Sequence, residues 1–358
     1  MKGVAVIGCG LIGRTHANVM KGLREAGLVD LRLITACDVD EQHALCLHAE
    51  AGFEHWDVSL ERALDRPEVD VVYVCTPTRQ HAAVVDAAVA RGHALFCEKP
   101  LAHTASQARA IADAARGVPA QVGLVLRYSA VFAEMRALLS GVSPMENAGR
   151  PVGALFRDDQ RFPVGGIYHS RWRADAEVSG GGTIIEHSIH DIDLLRWLLG
   201  EIRSVYARTA FFSNCPEVED LSSVVFEFES GAQATLLSIW HEMAARTSER
   251  LLEIFCERGW VRAHRDFSGP LEVQAGDSEM VTISEDDVLD RAVDHFGFGR
   301  HSRPFLSNCY FTESLAFFRS LEAGKPPWPG LDEAVRAHQV VDAIYQSAQT
   351  GQAVALST

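Results

Sequence analysis

Val4-Ala5-Val6-Ile7-Gly8-Cys9-Gly10-Leu11-Ile12-Gly13 is the stretch that decides the fold. Its first four residues form an unbroken apolar run, which reads as a strand buried on both faces of a parallel sheet. The run ends in G-x-G-x-x-G, and helical periodicity begins at once. Each glycine has a separate physical task. Gly8 permits a tight strand-to-helix turn, Gly10 leaves room for a pyrophosphate, and Gly13 lets the helix lie close on the strand. The helix start at Leu11 and Ile12 offers free N–H groups and a partial positive charge to phosphates. Glycine-rich turns are common. The strand–turn–helix setting is what makes this one a dinucleotide-binding fingerprint.

The residues that follow extend the pattern. A second strand is expected over 31–37, with Asp38 directly after it. An acidic residue at that place accepts hydrogen bonds from the adenosine ribose and repels a 2′-phosphate. No arginine follows, so the expected cofactor is NAD rather than NADP. The competing role for Asp38 is a turn or cap residue, because Asp40 and Glu41 open the next helix. Helices are expected over 40–51, 59–64, 81–91 and 104–115, and strands over 69–75, 94–97 and 121–126. This alternation implies a parallel sheet with right-handed crossovers. Gly8–Gly13, Asp38, Thr76-Pro77-Thr78 with His81, and Glu98-Lys99 then all fall at the carboxyl ends of strands, the edge where open parallel sheets bind ligands. Lys99 stands where the reactive end of a dinucleotide would lie. A partly desolvated lysine there can donate or accept a proton. The plainer alternative is a surface lysine paired with Glu98. The Lys99–Pro100 bond is a candidate cis peptide.

Composition sets the limits. The chain has 358 residues, 47% hydrophobic and 23% charged, with a net charge of −15. That size suggests two domains, a dinucleotide-binding one over 1–126 and a second over 127–358, with the last helices free to pack back on the first. The acidic balance argues against nucleic acid as a partner. Eight cysteines are scattered without a C-x-x-C pair, which points to a reducing, cytoplasmic compartment. The first strand starts close to Met1, which leaves no room for a signal peptide, and no apolar run reaches the length of a membrane span.

Beyond Leu126 the pattern changes. A helix is expected over 129–140 and an exposed strand over 152–162. Short strands over 205–211, 222–228, 232–240, 251–256, 260–264 and 271–273 read as an antiparallel meander of α+β type. Gly180-Gly181-Gly182 precedes a helical pattern in which Glu186 and His190 share a face, with Asp193 on the next turn. His187 and Asp191 form a second pair, rotated around the helix. Histidine beside a carboxylate is a proton-transfer arrangement. Core histidines satisfied by carboxylates, or a metal site, are the alternatives; neither H-E-x-x-H nor a cysteine ligand pattern occurs.

These pieces together resemble the glucose–fructose oxidoreductase / inositol dehydrogenase / MocA family. The likeness rests on Gly8-x-Gly10-x-x-Gly13, Thr76-Pro77 with His81, Glu98-Lys99-Pro100, Trp172-Arg173, Gly180-Gly181-Gly182 leading to Glu186-x-x-x-His190, and the segment from Phe311 through Pro327 to Leu356. The resemblance implies an N-terminal Rossmann domain and a C-terminal domain on an open, mostly antiparallel sheet whose free face makes homo-oligomers, dimers or tetramers. It implies oxidation of a secondary alcohol of a sugar or cyclitol with a nicotinamide cofactor, or the reverse reduction. Lys99 matches the family's catalytic lysine and His190 its catalytic histidine. Glu186 stands where aspartate is usual, and Thr78 where asparagine is common. Arg127, Tyr128, Gln160, Trp172, His187 and Asp193 are the candidate substrate contacts, and no metal is expected. Two other functions remain open at this point. One is a non-catalytic NAD-dependent sensor of the same fold. The other is a metal-assisted lyase or hydrolase using Glu186, His187 and His190.

Overall fold

Six apolar runs of the first third form the strands of one parallel sheet: β1 (Lys2–Ile7), β2 (Leu31–Cys37), β3 (His55–Asp57), β4 (Val71–Val74), β5 (Ala94–Cys97) and β6 (Ala120–Val122). The computed structural model describes residues 1–165, 170–215 and 217–356. The strand order is β3-β2-β1-β4-β5-β6, which reverses direction between β1 and β4. That reversal is the switch point beside which ligands bind in doubly wound sheets. The crossovers are α1 (Leu11–Glu25), α2 (Glu41–Ala51), α3 (Leu60–Leu64), α4 (His81–Val89) and α5 (Ala105–Ala114). Asp40, Ser59 and Thr104 start α2, α3 and α5 by accepting backbone N–H bonds on their side chains. Each such cap is worth about 1 kcal/mol.

The chain forms two compact units. The first holds Met1–Leu124, Val178–Gly180 and Tyr310–Arg336; the second holds the rest. In the first, Tyr73 stacks on Phe96 at 4.6 Å, and Phe317 meets both rings edge-on at 5.8 and 5.6 Å. The strand expected over 121–126 ends at Val122, and Val125–Tyr128 is a 3-10 turn. The Leu124 N–H turns back onto the Val122 carbonyl, which closes the strand. Leu124, Val125 and Leu126 are all buried, so apolarity alone did not separate strand from turn.

The second unit is built on α6 (Ala130–Leu139), β7 (Pro151–Arg161), α7 (Ala176–Ser179), α8 (Ile189–Leu199), β8 (Ile202–Ala210), β9 (Leu221–Phe228), β10 (Gln233–His241), β11 (Glu249–Cys256), β12 (Gly259–Ala263), β13 (Leu271–Ala275), β14 (Val281–Ile283) and α9 (Glu285–His295). Then come α10 (Cys309–Glu322), α11 (Leu331–Thr350) and β15 (Val354–Ala355). From Tyr310 to Arg336 these closing helices belong to the first unit, where Leu331, Ala334 and Val335 join the hydrophobic core.

The nine-stranded sheet runs β14-β13-β12-β11-β7-β10-β9-β8-β15. Two expectations are corrected here. The sheet is not a pure antiparallel meander, because β7 and β10 pair in parallel. The strand expected to be exposed, β7, lies in the interior of the sheet between β11 and β10. Residue alternation reports which face is covered; it says nothing of a strand's neighbours. One face is indeed covered, with Phe156, Phe226, Phe228, Leu236, Leu252 and Ile254 fully buried. Each such side chain contributes about 1.5–3 kcal/mol. Leu155, Val225 and Phe255 stand exposed on the other face.

A third correction concerns the segment after the triple glycine. The α-helix expected to carry Glu186 begins only at Ile189; Ile184–Ser188 is a π-helical turn. Among the described residues no helix is long and apolar enough to cross a membrane.

Candidate active site

The carboxyl edge of the parallel sheet is shaped mainly by backbone. Gly8 has φ +96°, and a Cβ there would stand 2.5 Å from the Cys75 backbone. At Gly13 a Cβ would lie 2.0 Å from the Gly8 carbonyl oxygen. At Gly10 it would meet nothing within 4 Å. The three glycines therefore differ. Gly8 and Gly13 are demanded by the protein's own packing, whereas Gly10 borders open space. Gly10 is also the N-cap of α1 and gives it no side-chain cap. The first N–H groups of α1 thus have no capping side chain, as an anion site at a helix start requires.

Asp38 is tied to the same loop. Its Oδ2 accepts the Cys9 N–H at 2.7 Å, and its Oδ1 accepts the Asp40 N–H at 2.9 Å. A carboxylate has about four acceptor sites, so ribose hydroxyls can still be bound. The helix-capping role falls to Asp40. Thr76 and Pro77 are half-buried at the end of β4, and Thr78 is buried. His81 lies beneath them, 1% exposed, its Nε2 2.9 Å from the Thr76 carbonyl and its Nδ1 3.3 Å from that of Leu101. It fixes the loop. Glu98 is buried, with Oε1 2.7 Å from His16 Nε2 and Oε2 accepting the Lys99 N–H at 3.1 Å. Lys99 is half-buried at the end of β5, and the Lys99–Pro100 peptide is cis. The open cradle at Gly10, the uncapped helix and the half-exposed Asp38 fit a dinucleotide.

The second unit's polar groups gather on and under the turn 184–188. Thr183 donates its N–H to the Glu219 carbonyl at 2.8 Å. The Glu219 carboxylate accepts the N–H groups of Gly182 at 2.7 Å and Ile184 at 3.0 Å, and the Tyr345 hydroxyl at 3.0 Å. Burial pushes both Glu219 and Tyr345 above their ordinary pKa values. At Gly182 a Cβ would stand 1.9 Å from the Glu219 carbonyl oxygen, so the close approach requires glycine. Glu186 is buried, and its Oε2 accepts from Arg173 Nε at 2.9 Å. The Arg173 guanidinium lies 4.5 Å above the Trp172 ring. His190 is buried in the first turn of α8.

Two of the candidate substrate residues hold each other: Arg127 donates to both oxygens of Asp193, at 2.8 and 2.7 Å, in a buried pair. Tyr128 is buried beside Phe296, and Gln160 is buried on β7. His187 Nε2 lies 2.9 Å from an oxygen of Asp158. Glu219, Tyr345, His16, Asp158 and Arg250 were not singled out by the sequence. Two of them carry a signal. Asp158 and Arg250 are charged residues in phase with the inward-facing Phe156 and Leu252. Among the described residues no group of three or more His, Cys, Asp or Glu side chains is arranged to hold a metal ion.

A doubly wound sheet with this glycine edge, in one chain with a second unit on a large mixed sheet, defines the class of two-domain, dinucleotide-dependent oxidoreductases. Residues 2–124 match the oxidoreductase family with an NAD-binding Rossmann fold, and residues 146–262 match the GFO/IDH/MocA C-terminal domain. The chain belongs to that family. It is 30% identical over 239 residues to scyllo-inositol 2-dehydrogenase (NAD(+)) of Bacillus subtilis, covering 64% of each protein. It is 25% identical over 352 residues to inositol 2-dehydrogenase of Rhizobium meliloti, covering 96% of this chain and 95% of that one. A levoglucosan dehydrogenase solved with NADH and levoglucosan shares the fold over 100% of both chains, with a TM-score of 0.85 and 19% identity.

Proposed function

We propose that this chain oxidises a secondary alcohol of a sugar, cyclitol or related polyol with NAD, or reduces the corresponding ketone. The observation that carries the reading is the open cradle at Gly10, at an uncapped helix start with Asp38 bonded to the same loop. Gly8, Gly10 and Gly13 with the N–H groups of Leu11 and Ile12 would hold the pyrophosphate. Asp38 would take the adenosine ribose, which favours NAD over NADP. Thr76, Pro77 and Thr78, with His81 and Glu98 behind them, would border the nicotinamide side. When bound, the cofactor supplies the acceptor or donor for hydride.

Proton transfer is assigned to this chain's own residues. The His190 imidazole takes the hydroxyl proton, or returns it in reduction. The Lys99 ammonium Nζ stabilises the substrate oxygen as its charge develops. Glu186, itself oriented by Arg173, sets the electrostatics around His190. Gln160, Tyr128 and Trp172 remain the candidate substrate contacts; Arg127 and Asp193 are engaged with each other. The substrate class follows relatives named for inositol and levoglucosan.

The exposed face bearing Leu155, Val225 and Phe255 is proposed to pair with a second copy of the chain. The eight free cysteines fit a reducing, cytoplasmic setting. The test is direct. Purified protein with NAD is offered myo-inositol, scyllo-inositol, D-xylose and levoglucosan, and NADH formation is followed by absorbance. NADH formation with at least one supports the reading. Tight NADH binding with no turnover of any polyol, in either direction, would favour the sensor. Light scattering on the eluting peak of a sizing column reads the oligomer, and a monomer would refute the pairing.

A further inference from the structure

Beneath the turn that carries Glu186 and the start of α8 that carries His190, the covered face of the large sheet changes from apolar to polar. Ser222 on β9, Ser238 on β10, Asp158 on β7 and Arg250 on β11 lie side by side in register, one row across four strands. All four are buried. The turn reaches down to this row at several points. Thr183 Oγ1 and Ser188 Oγ lie 2.7 and 2.6 Å from Ser238 Oγ. Arg250 Nε donates to Asp191 Oδ1 at 2.8 Å, and its Nη1 donates to Asp266 Oδ2 at 2.7 Å. Its Nη2 reaches Asp158 Oδ2 at 3.4 Å and His187 Nε2 at 3.0 Å.

Hydrogen bookkeeping in this cluster shows that a proton is needed. Asp158 and Asp191 are both buried against one guanidinium, that of Arg250, and Asp191 Oδ2 is buried with no hydrogen-bond partner among the described residues. Ionised carboxylates can only accept, and two of them buried on one guanidinium leave a charge uncompensated unless one carries a hydrogen. His187 leads to the same conclusion. An imidazole nitrogen that accepts from a guanidinium cannot also donate to Asp158, 2.9 Å away, so the hydrogen must come from the carboxyl side. The charged and titratable groups bonded around Asp191 and Asp158 are Arg250 and His187, with Asp266 on the same guanidinium.

We propose that Asp191, Asp158 and Arg250 are the positioning residues of the turn bearing Glu186 and of the start of α8 bearing His190, and that the two carboxyl groups hold one proton between them in the folded protein. Apolar packing at this place would leave the turn free to rotate and slide. Directional bonds to fixed strand positions set its register. The proposal rests on the proton-transfer role given to His190 above. Burial and the neighbouring Asp158 raise the Asp191 carboxyl to about 7, which agrees with the bond count. The folded pair therefore keeps a proton that unfolded aspartates release. Its contribution to stability is complete at low pH and is lost as pH rises from the ordinary carboxyl range to about 7.

The test uses Asp191→Asn, which keeps the shape and carries a permanent hydrogen, and Asp191→Ala, which removes both. Thermal midpoints are measured from about pH 4 to about pH 8. The wild type is expected to lose ground steadily to Asp191→Asn up to about pH 7 and then run parallel to it. With NAD and the polyol turned over fastest, the kcat ratio of Asp191→Asn to wild type should rise at least about threefold from pH 6 to 9. Asp191→Ala should lose about tenfold in kcat with NADH binding retained, and Asp191→Asn should recover most of that loss. If Asp191→Ala does not fold, Arg250→Lys takes its place with the same expectation. A midpoint difference independent of pH overturns the shared proton. A constant kcat ratio, with no rescue by asparagine, overturns the positioning role. Should His190→Asn turn over normally, the reading beneath the proposal fails, while the melting series still decides the shared proton.

Discussion

The two units hold their functional groups by opposite means. At the edge of the first where the dinucleotide is proposed to lie, the site is shaped by backbone: a glycine with open space above it, an uncapped helix start and one carboxylate bonded to main-chain N–H groups. Under the turn 184–188 of the second, side chains do the holding, through Glu219, Arg173, Asp158, Asp191 and Arg250. A dinucleotide is the same molecule in every such protein, so a backbone mould can serve all of them. A substrate pocket must vary, and side chains vary at lower structural cost than backbone. The difference predicts where mutations act. Changes at the first edge should divide cleanly into folding and binding effects. Changes around the second should mix stability with turnover.

The largest expected effect is at Lys99. Lys99→Met should lower kcat by about 10²–10⁴-fold while NADH still binds, measured by turnover and by fluorescence titration. Next comes the buried pair Arg127–Asp193. Arg127→Met removes both of its bonds to Asp193, leaving that carboxylate Arg196 at 3.6 Å, and should destabilise the protein by about 1.5–3 kcal/mol in denaturant unfolding. The glycines give the sharpest contrast. Gly13→Ala puts a methyl 2.0 Å from a backbone oxygen and should cost stability, read as a lower thermal midpoint. Gly10→Ala adds a methyl with nothing within 4 Å, so its midpoint should hold while NADH affinity falls about tenfold. Equal loss of stability in the two variants would break the distinction. The smallest effect is at Asp38. Asp38→Ala should move the NAD/NADP preference by about tenfold toward NADP, read from the two Kd values.

The contrast also explains what was legible in the sequence. A backbone requirement shows itself as residue identity. Gly8, Gly10 and Gly13 could be given separate roles before any coordinates; Gly8 and Gly13 are crowded by backbone, and Gly10 borders open space. The π turn had no such signature. It is held by Glu219, more than thirty residues away, which nothing in its own stretch of sequence marks. The i, i+4 spacing of Glu186 and His190 assumed a regular helix, whereas Glu186 sits on a π turn and accepts from Arg173, which the spacing did not mark. The polar row under the turn was half visible. Asp158 and Arg250 sit in phase with the inward-facing Phe156 and Leu252, which flags a buried charge, but their partners depend on strand order. That order, with β7 inside the sheet and parallel to β10, is set by long connections that alternation does not record.

The central claim is that the first unit binds the dinucleotide by itself, while a side chain of the second moves the proton. The most direct measurement is a paired one on His190→Asn: NADH affinity by fluorescence titration, and kcat with the fastest polyol, on the same folded preparation. The account predicts an NADH Kd within about twofold of wild type and a kcat at least about 100-fold lower. A kcat near that of the wild type, or a loss of NADH binding equal to the loss of turnover, would contradict it.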